Sequence, residues 1–291
     1  MMVPMADAWR SVDVVRVRGA ARATDVDRAA TEEPLEIRLH GRPFAVIMRT
    51  PGADRELAAG FLLSERVITS ADALGTIEHC TDRLTNPEQR EHLENLDHPE
   101  NLENTINVTL AGGLDASLDA LMADRRQVTT NSSCGMCGRR TIESLAADVP
   151  AVRASWTARA SVIASLPDRL RGRQAIFDQT GGLHAAALCT PEGEVVDVAE
   201  DVGRHNAVDK IVGRMLMRDA LPLSAFVLCV SGRTSFEIVQ KAIVAGIPIV
   251  AAVSAPSSLA IDLAQEFGVT LVGFIRGDTF NIYAHAQRVE D

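Results

Sequence analysis

Two cysteines three residues apart, Cys134 and Cys137, stand in the stretch TNSSCGMCGRR, the part of the chain most plainly arranged for chemistry. Gly135 and Gly138 let the backbone approach a ligand closely, and Asn131, Ser132 and Ser133 are residue types that start helices. The following RRTIESLAAD reads as a helix. Its unpaired N–H groups and positive dipole end point back at the cysteines, and Arg139 and Arg140 add charge. Both thiols are therefore expected to ionise more readily than an ordinary cysteine. A sulfur nucleophile, a metal ligand and a redox pair all fit that environment.

The other three cysteines show no partner spacing. Cys189 and Cys229 lie in the apolar runs HAAALC and FVLCVSG, where a small buried thiol is expected. With 291 residues and 46% hydrophobic content the chain can bury a full core, expected as two closely packed subdomains. No apolar run approaches the roughly 20 residues needed to span a bilayer. Asp7 and Asp13 stand where a signal peptide would carry a basic and then an apolar region. The expectation is a cytoplasmic protein with reduced thiols. A net charge of −10 argues against nucleic acid as a partner. More than half of that excess sits between Glu78 and Asn104, in a polar, nearly repeating segment that reads as a surface insertion. His79, His92 and His98 in or beside it lack ligand spacing, and no residue set is assigned to a metal.

Val12 to Val17 alternate as a strand, residues 35–50 read as a hairpin turning at His40-Gly41-Arg42-Pro43, and residues 50–67 as a turn and a helix with Leu57, Phe61 and Leu62 on one face. NTINVTLAGG is a strand and LDASLDALMADRR a helix leading into the cysteine loop. In the second half, GLHAAALC, EVVDVAED, SAFVLCVSG, IPIVAAVSA, VTLVGFIRG and TFNIYAH read as strands. NAVDKIVGRMLMR, SFEIVQKAIVAG and SLAIDLAQEFG read as helices between them. The nearly continuous apolar strands predict an α/β fold with a mostly parallel sheet and helices on both faces. Residues 1–125 are expected to form a smaller N-terminal α+β subdomain carrying the insertion, and residues 126–291 the α/β domain.

Ligands of such sheets sit beyond the carboxyl ends of the strands. Here those loops are Ser231-Gly232-Arg233-Thr234-Ser235, Ser254-Ala255-Pro256-Ser257-Ser258 and Arg276-Gly277-Asp278-Thr279. Two are hydroxyl-rich and open into helix starts, and two carry an arginine, a cradle for phosphate. A serine at such a junction is ordinarily only a helix cap, but three such loops on one edge favour a pyrophosphate-bearing ligand. In EDVGRHNAVDK, Arg204 and His205 project from the turn. His205 is either a cap, like Asn206, or an acid, base or ligand contact, and Lys210, about one turn further along the helix, could reach the same edge but is read by default as a solvated lysine.

Zinc deaminases pair H-x-E with P-C-x-x-C, but Ala186 follows His184 where their glutamate would stand, and the cysteine pair comes before the histidine without its proline. A structural zinc site would want a second CxxC, which is absent. Disulfide chemistry stays open.

Taken in order, EPLEIRLHGRPFAVIMRTPGADRELAAGFLLSE, NSSCGMCG, TGGLHAAAL, EDVGRHNAVDKIVG, VSGRTSFEIVQKA and GFIRGDTFNIY resemble the formate dehydrogenase accessory sulfurtransferases, the FdhD family, over nearly the whole chain. The resemblance implies a cytidine-deaminase-like sheet, a cytoplasmic homodimer, and a sulfurtransferase that takes persulfide sulfur from a cysteine desulfurase. It implies delivery of that sulfur to the molybdenum bis(molybdopterin guanine dinucleotide) cofactor, bound as substrate, for formate dehydrogenase. Cys134, matching the family's first cysteine, would carry the persulfide and Cys137 would assist. The cofactor would meet Phe274, Ile275, Arg276, Gly277, Asp278 and Thr279, with Ser231, Gly232, Arg233, Thr234, Ser254, Ser257 and His205 adjoining; Arg139, Arg140 and Arg204 are further candidates. A cofactor chaperone that transfers no sulfur and a CxxC redox protein are the alternatives.

Overall fold

The computed structural model describes residues 8–80, 103–111 and 149–291. Strands β1 (Trp9–Arg18) and β2 (Ala21–Ala30) pair as a ribbon of their own. The expected hairpin is β3 (Glu33–Leu39) and β4 (Arg42–Arg49), turning where His40 and Gly41 both take positive φ. Helix α1 (Asp54–Ser64), β5 (Leu74–His79) and β6 (Thr105–Leu110) follow. These strands form a four-stranded sheet in the order β4-β3-β6-β5. Leu35, Ile37 and Leu39 are all fully buried, the period-two signature of one sheet face turned to a core.

Beyond residue 149 come β7 (Ala158–Arg159), α2 (Ala160–Arg171), α3 (Ala175–Thr180), β8 (His184–Cys189), β9 (Val195–Asp201) and α4 (Arg204–Met217). Then β10 (Val227–Val230), α5 (Phe236–Ala245), β11 (Ile249–Ala252), α6 (Ser258–Phe267), β12 (Thr270–Arg276), β13 (Thr279–Ala284) and β14 (Val289–Glu290) complete the chain. Helix α2 has no counterpart among the sequence-based expectations, because Pro167 interrupts its pattern.

The α/β class holds, but the larger sheet is not mostly parallel. Its order is β13-β12-β11-β10-β8-β9, and only β10–β11 and β11–β12 pair in parallel. A parallel pair needs a crossover helix, and α5 and α6 provide these two. The β8–β9 and β12–β13 connections are too short for one, so those strands reverse. Helix α4 then carries the chain past β8, which is left antiparallel to β10.

Both faces of this sheet are covered, as the apolar strands require. Ala186, Leu188, Leu228, Val230, Val250 and Ala252 face α4, α5, α6, α1 and the smaller sheet in one continuous core. The alternate residues Ala185, Ala187, Cys189, Val227, Cys229 and Ala251 pack beneath Ile163, Leu166 and Leu170 of α2. Cys189 and Cys229 are thus core thiols, and burial pushes the Cys189 pKa up to about 11 and that of Cys229 well above its ordinary value. The subdomain boundary expected at residue 125, the cysteine loop and most of the acidic segment lie outside the described residues, as do His92 and His98. Among the described residues no helix is long and apolar enough to cross a membrane.

Helices α1 and α4 touch backbone to backbone. A Cβ added at Gly60 would fall 2.0 Å from the Asp209 carbonyl oxygen, and one at Gly213 would fall 1.9 Å from that of Glu56. Alanine gains about 1 kcal/mol over glycine inside a free helix. Overpacking here opposes that gain with a cost of about 1–3 kcal/mol or more, since main chain rather than a pliable side chain must move. Gly213→Ala is therefore expected to lower stability in urea denaturation; a variant more stable than the parent would show that the helices do not need this approach.

Candidate functional site

The parallel strands β10, β11 and β12 end at one edge of the larger sheet, and antiparallel β8 begins there. Val230 lies opposite both Ala186 and Ala252, so carrying the register on by two residues sets His184, Gly232 and Ser254 in one row. The row is closed by real contacts. Ser231 N–H donates to the Ala185 carbonyl at 2.9 Å and Ser231 Oγ accepts from Ala185 N–H at 2.9 Å, while Phe274 N–H donates to the Ser254 carbonyl at 3.2 Å. Thr234 N–H donates to the Ala255 carbonyl at 3.1 Å, and Ser257 N–H to the Thr234 carbonyl at 3.0 Å. The three loops expected to form a ligand edge are therefore neighbours.

The individual residues divide between framework and exposed edge. The Ser231 hydroxyl is spent on the β8–β10 ladder, and Ser257 is a true cap of α6, accepting from Ala260 N–H at 3.3 Å. Thr234 is buried, with no partner for its hydroxyl among the described residues. Ile275 is buried against the α2 layer, so its side chain is core and only its main chain is left for a ligand. Arg233, Arg276, Gly277, Asp278 and Thr279 are exposed. Thr279 Oγ1 donates to the Arg276 carbonyl at 3.0 Å, and Gly277 supplies the positive φ of the hairpin turn. Phe274 is 38% exposed and holds φ 56°, a left-handed conformation that costs a bulky residue energy. The Arg276 guanidinium lies 6.0 Å from the centre of its ring.

Beside this edge, strand β9 ends in Asp201, which has no exposed surface. Its carboxylate accepts from Gly203 N–H at 2.8 Å, Asn206 Nδ2 at 2.8 Å and Thr50 N–H at 3.2 Å, and it pairs with Lys210 Nζ at 2.7 Å. Burial pushes the Asp201 pKa up, and the Lys210 charge and the hydrogen bonds pull against that rise. Lys210 is thus not the solvated lysine its position suggests. It is 3% exposed and also donates to the Thr50 carbonyl at 2.9 Å, because a carboxylate buried so deeply requires a cation within reach. Nor is Asn206 a cap: its amide donates to Asp201 and to the Met48 carbonyl at 2.9 Å.

His205, in the first turn of α4, is not a cap either. Its Nε2 lies 2.8 Å from Glu237 Oε2 and 3.1 Å from Ser235 Oγ, which takes Ser235 away from capping α5. The bond from His205 holds the Glu237 pKa below its ordinary value. His184 stands opposite Asp201 across the β8–β9 pair. Burial lowers its pKa first, and the charges of Arg204, His205 and Arg233 lower it further, with Asp201 opposing. The edge therefore presents a neutral imidazole among cations. A Cβ at Gly232 would lie 3.2 Å from His184 Nδ1, tighter than an ordinary contact, so a side chain there would crowd the imidazole. A cavity of about 200 Å3 opens here, lined by Glu32, Met48, His184, Val202, Gly203, Arg204 and His205.

Sequence alone places the loops but misses Glu237 and Lys210 as partners, and it misses Glu32 and Met48, which lie some 150 residues away along the chain. Cys134, Cys137, Arg139 and Arg140 lie outside the described residues.

Residues 30–290 match the model of the FdhD/NarQ family. A sulfur carrier protein FdhD of Streptomyces avermitilis is 50% identical over 286 residues, spanning 95% of this chain and 94% of that one. One of Saccharolobus solfataricus is 43% identical over 280 residues, spanning 95% and 96%. The crystal structure of a chain described as a formate dehydrogenase accessory protein, from Desulfotalea psychrophila, superposes with a TM-score of 0.72 at 24% identity over 98% of this chain and all of that one, so the fold is shared.

Removing the cation from the buried pair tests the frame of the site. Lys210→Met leaves Asp201 buried and unmatched, and a loss of about 3–5 kcal/mol is expected in chemical denaturation. A loss below about 1 kcal/mol would mean that the three neutral donors suffice.

Proposed function

Because the chain belongs to the FdhD/NarQ family, we propose that it is a sulfur carrier serving formate dehydrogenase, with Cys134 as the persulfide-bearing residue and Cys137 as its assistant. The observation that carries this reading is the Cys134-Cys137 pair, held in a chain whose relatives of 50% and 43% identity bear the name sulfur carrier protein. The three other cysteines are all buried, and the two in the larger sheet have raised pKa values, which unfits them as thiolate nucleophiles. The chemistry is thiolate exchange. Cys134 thiolate attacks the outer sulfur of a desulfurase persulfide, a new S–S bond forms, the old one breaks, and the desulfurase cysteine leaves as thiolate. Cys137 can then relay or stabilise the carried sulfur.

The acceptor in this proposal is the molybdenum bis(molybdopterin guanine dinucleotide) cofactor, bound as substrate by a cytoplasmic homodimer. The edge supports such a ligand. Phe274 offers an exposed ring for a base, Arg276 a guanidinium beside it, and the loop containing Arg233 a second cation on the same edge. The strain at Phe274 is the kind retained where a side chain must be presented to a ligand. We also read the larger sheet as deaminase-like, with Ala186 in place of the catalytic glutamate, which removes the hydrolytic chemistry and keeps the cleft.

Two experiments test the reading. Cells whose own carrier is replaced by the Cys134→Ala/Cys137→Ala variant are expected to lose formate dehydrogenase activity while the protein accumulates normally. Undiminished activity would make the protein a chaperone that transfers no sulfur. Calorimetry with GDP is expected to give binding that Arg276→Ala weakens by about tenfold, the worth of one charged hydrogen bond; an unchanged affinity would remove that anchor.

A further inference from the structure

The cavity at the start of α4 lies beyond the nucleotide edge. Three strand spacings separate β8 from β12 in the sheet order, about 14 Å at the usual interstrand distance. His184 and Phe274 thus stand at two ends of one row, with Gly232 and Ser254 between them. A phosphate-sized group at His184 and a base at Phe274 need not compete for space.

The cavity is furnished for an anion. Arg204 Nε is buried and has no hydrogen-bond partner among the described residues. The other cations packed behind the site are matched: Lys210 with Asp201 at 2.7 Å, Lys241 with Asp209 at 2.8 Å, and Arg49 with Asp54 at 2.9 Å. Arg204 forms no ion pair among the described residues, although its charge helps to lower the Glu237 pKa and Glu32, which is exposed, shares the lining. Helix α4 begins at Arg204 behind Gly203 with no side-chain cap, and Gly203, Arg204 and His205 line the cavity, so the positive end of the helix lies at its wall. His205 is already tied to Glu237, which leaves Arg204, the α4 terminus and the His184 imidazole as the donors. Gly232, bare of a side chain, keeps the space beside His184 open.

From this arrangement we propose that the cavity lined by His184, Gly203, Arg204 and His205 is a binding site for one compact, multiply charged oxyanion, the size of phosphate or molybdate, separate from the nucleotide edge. The volume of about 200 Å3 admits such a group. The separation from a nucleotide site rests on the function proposed above; the anion site does not. In a carrier of that kind the cavity receives the oxo-metal end of the substrate while the far end of the row holds the base.

Calorimetry on the full chain tests this with inorganic phosphate and molybdate as probes, each with and without saturating GDP. Both anions are expected to bind one per chain and to compete with each other, and Arg204→Gln to weaken them at least tenfold. Arg204→Lys, which keeps the charge and loses Nε, is expected to recover part of that loss, and GDP to leave molybdate binding within twofold. Circular dichroism and thermal unfolding report whether the variants fold. Anion binding that Arg204→Gln leaves unchanged, absence of anion binding, or displacement of both anions by GDP would each overturn the separate site. Failure of the parent protein to bind GDP at all would instead count against the nucleotide reading, leaving the anion result to be judged alone.

Discussion

A carboxylate taken wholly out of water must be matched donor for donor, and Asp201 shows how much structure that demand organises. Its partners come from the chain after β4, from the turn before α4, and from two positions along α4 itself: Thr50, Gly203, Asn206 and Lys210. One buried anion therefore ties the smaller sheet, the last residue of β9 and the first turns of α4 into a single frame. Arg204 and His205 sit on the turn so fixed, and His184 lies across the strand pair from the anion. The same Lys210 that neutralises Asp201 also donates to the carbonyl of Thr50, and Thr50 Oγ1 accepts from Val202 N–H at 3.1 Å, so the frame is closed in both directions. Loss of the cation would loosen the turn that carries Arg204 and His205.

The frame needs α1 and α4 to lie closer than side chains permit, which Gly60 and Gly213 allow. That contact lets buried ion pairs span the layers. Asp209 on α4 accepts from Ser64 of α1 at 2.8 Å and holds Lys241 of α5 at 2.8 Å. Arg49 meets Asp54 at the start of α1. Pairs of this kind add little net stability over a well-packed apolar core, because desolvation offsets attraction. Their effect here is on geometry: each fixes where one helix begins or how two helices align, and the helix starts lie along the candidate ligand edge.

Much of this was legible in the sequence. The hairpin over residues 35–50, helices α4, α5 and α6 and the strands of the larger sheet follow from hydrophobic period and turn residues, whereas β2, α2 and α3 do not, and the loops of Ser231, Ser254 and Arg276 do share one edge. Strand direction was less legible. Continuous apolar runs report burial on both faces, and burial does not distinguish the parallel β10–β11–β12 unit from the antiparallel strands flanking it. The polar interior was least legible. Lys210 and Asn206 have the types and positions of a solvated lysine and a cap. Only the fold, by burying Asp201 five residues from one and nine from the other, converts them into its partners. His205 likewise gains its role from Glu237, a residue 32 positions away on another helix.

The proposed function joins two parts by sulfur, a Cys134 thiolate to receive it and the cationic edge to hold the cofactor it is passed to. Intact-mass spectrometry of the protein after incubation with a cysteine desulfurase and cysteine tests the first of these directly. The account predicts a gain of one sulfur atom per chain, removed by a mild thiol reductant. A mass that stays unchanged while the desulfurase itself is loaded with persulfide would contradict it.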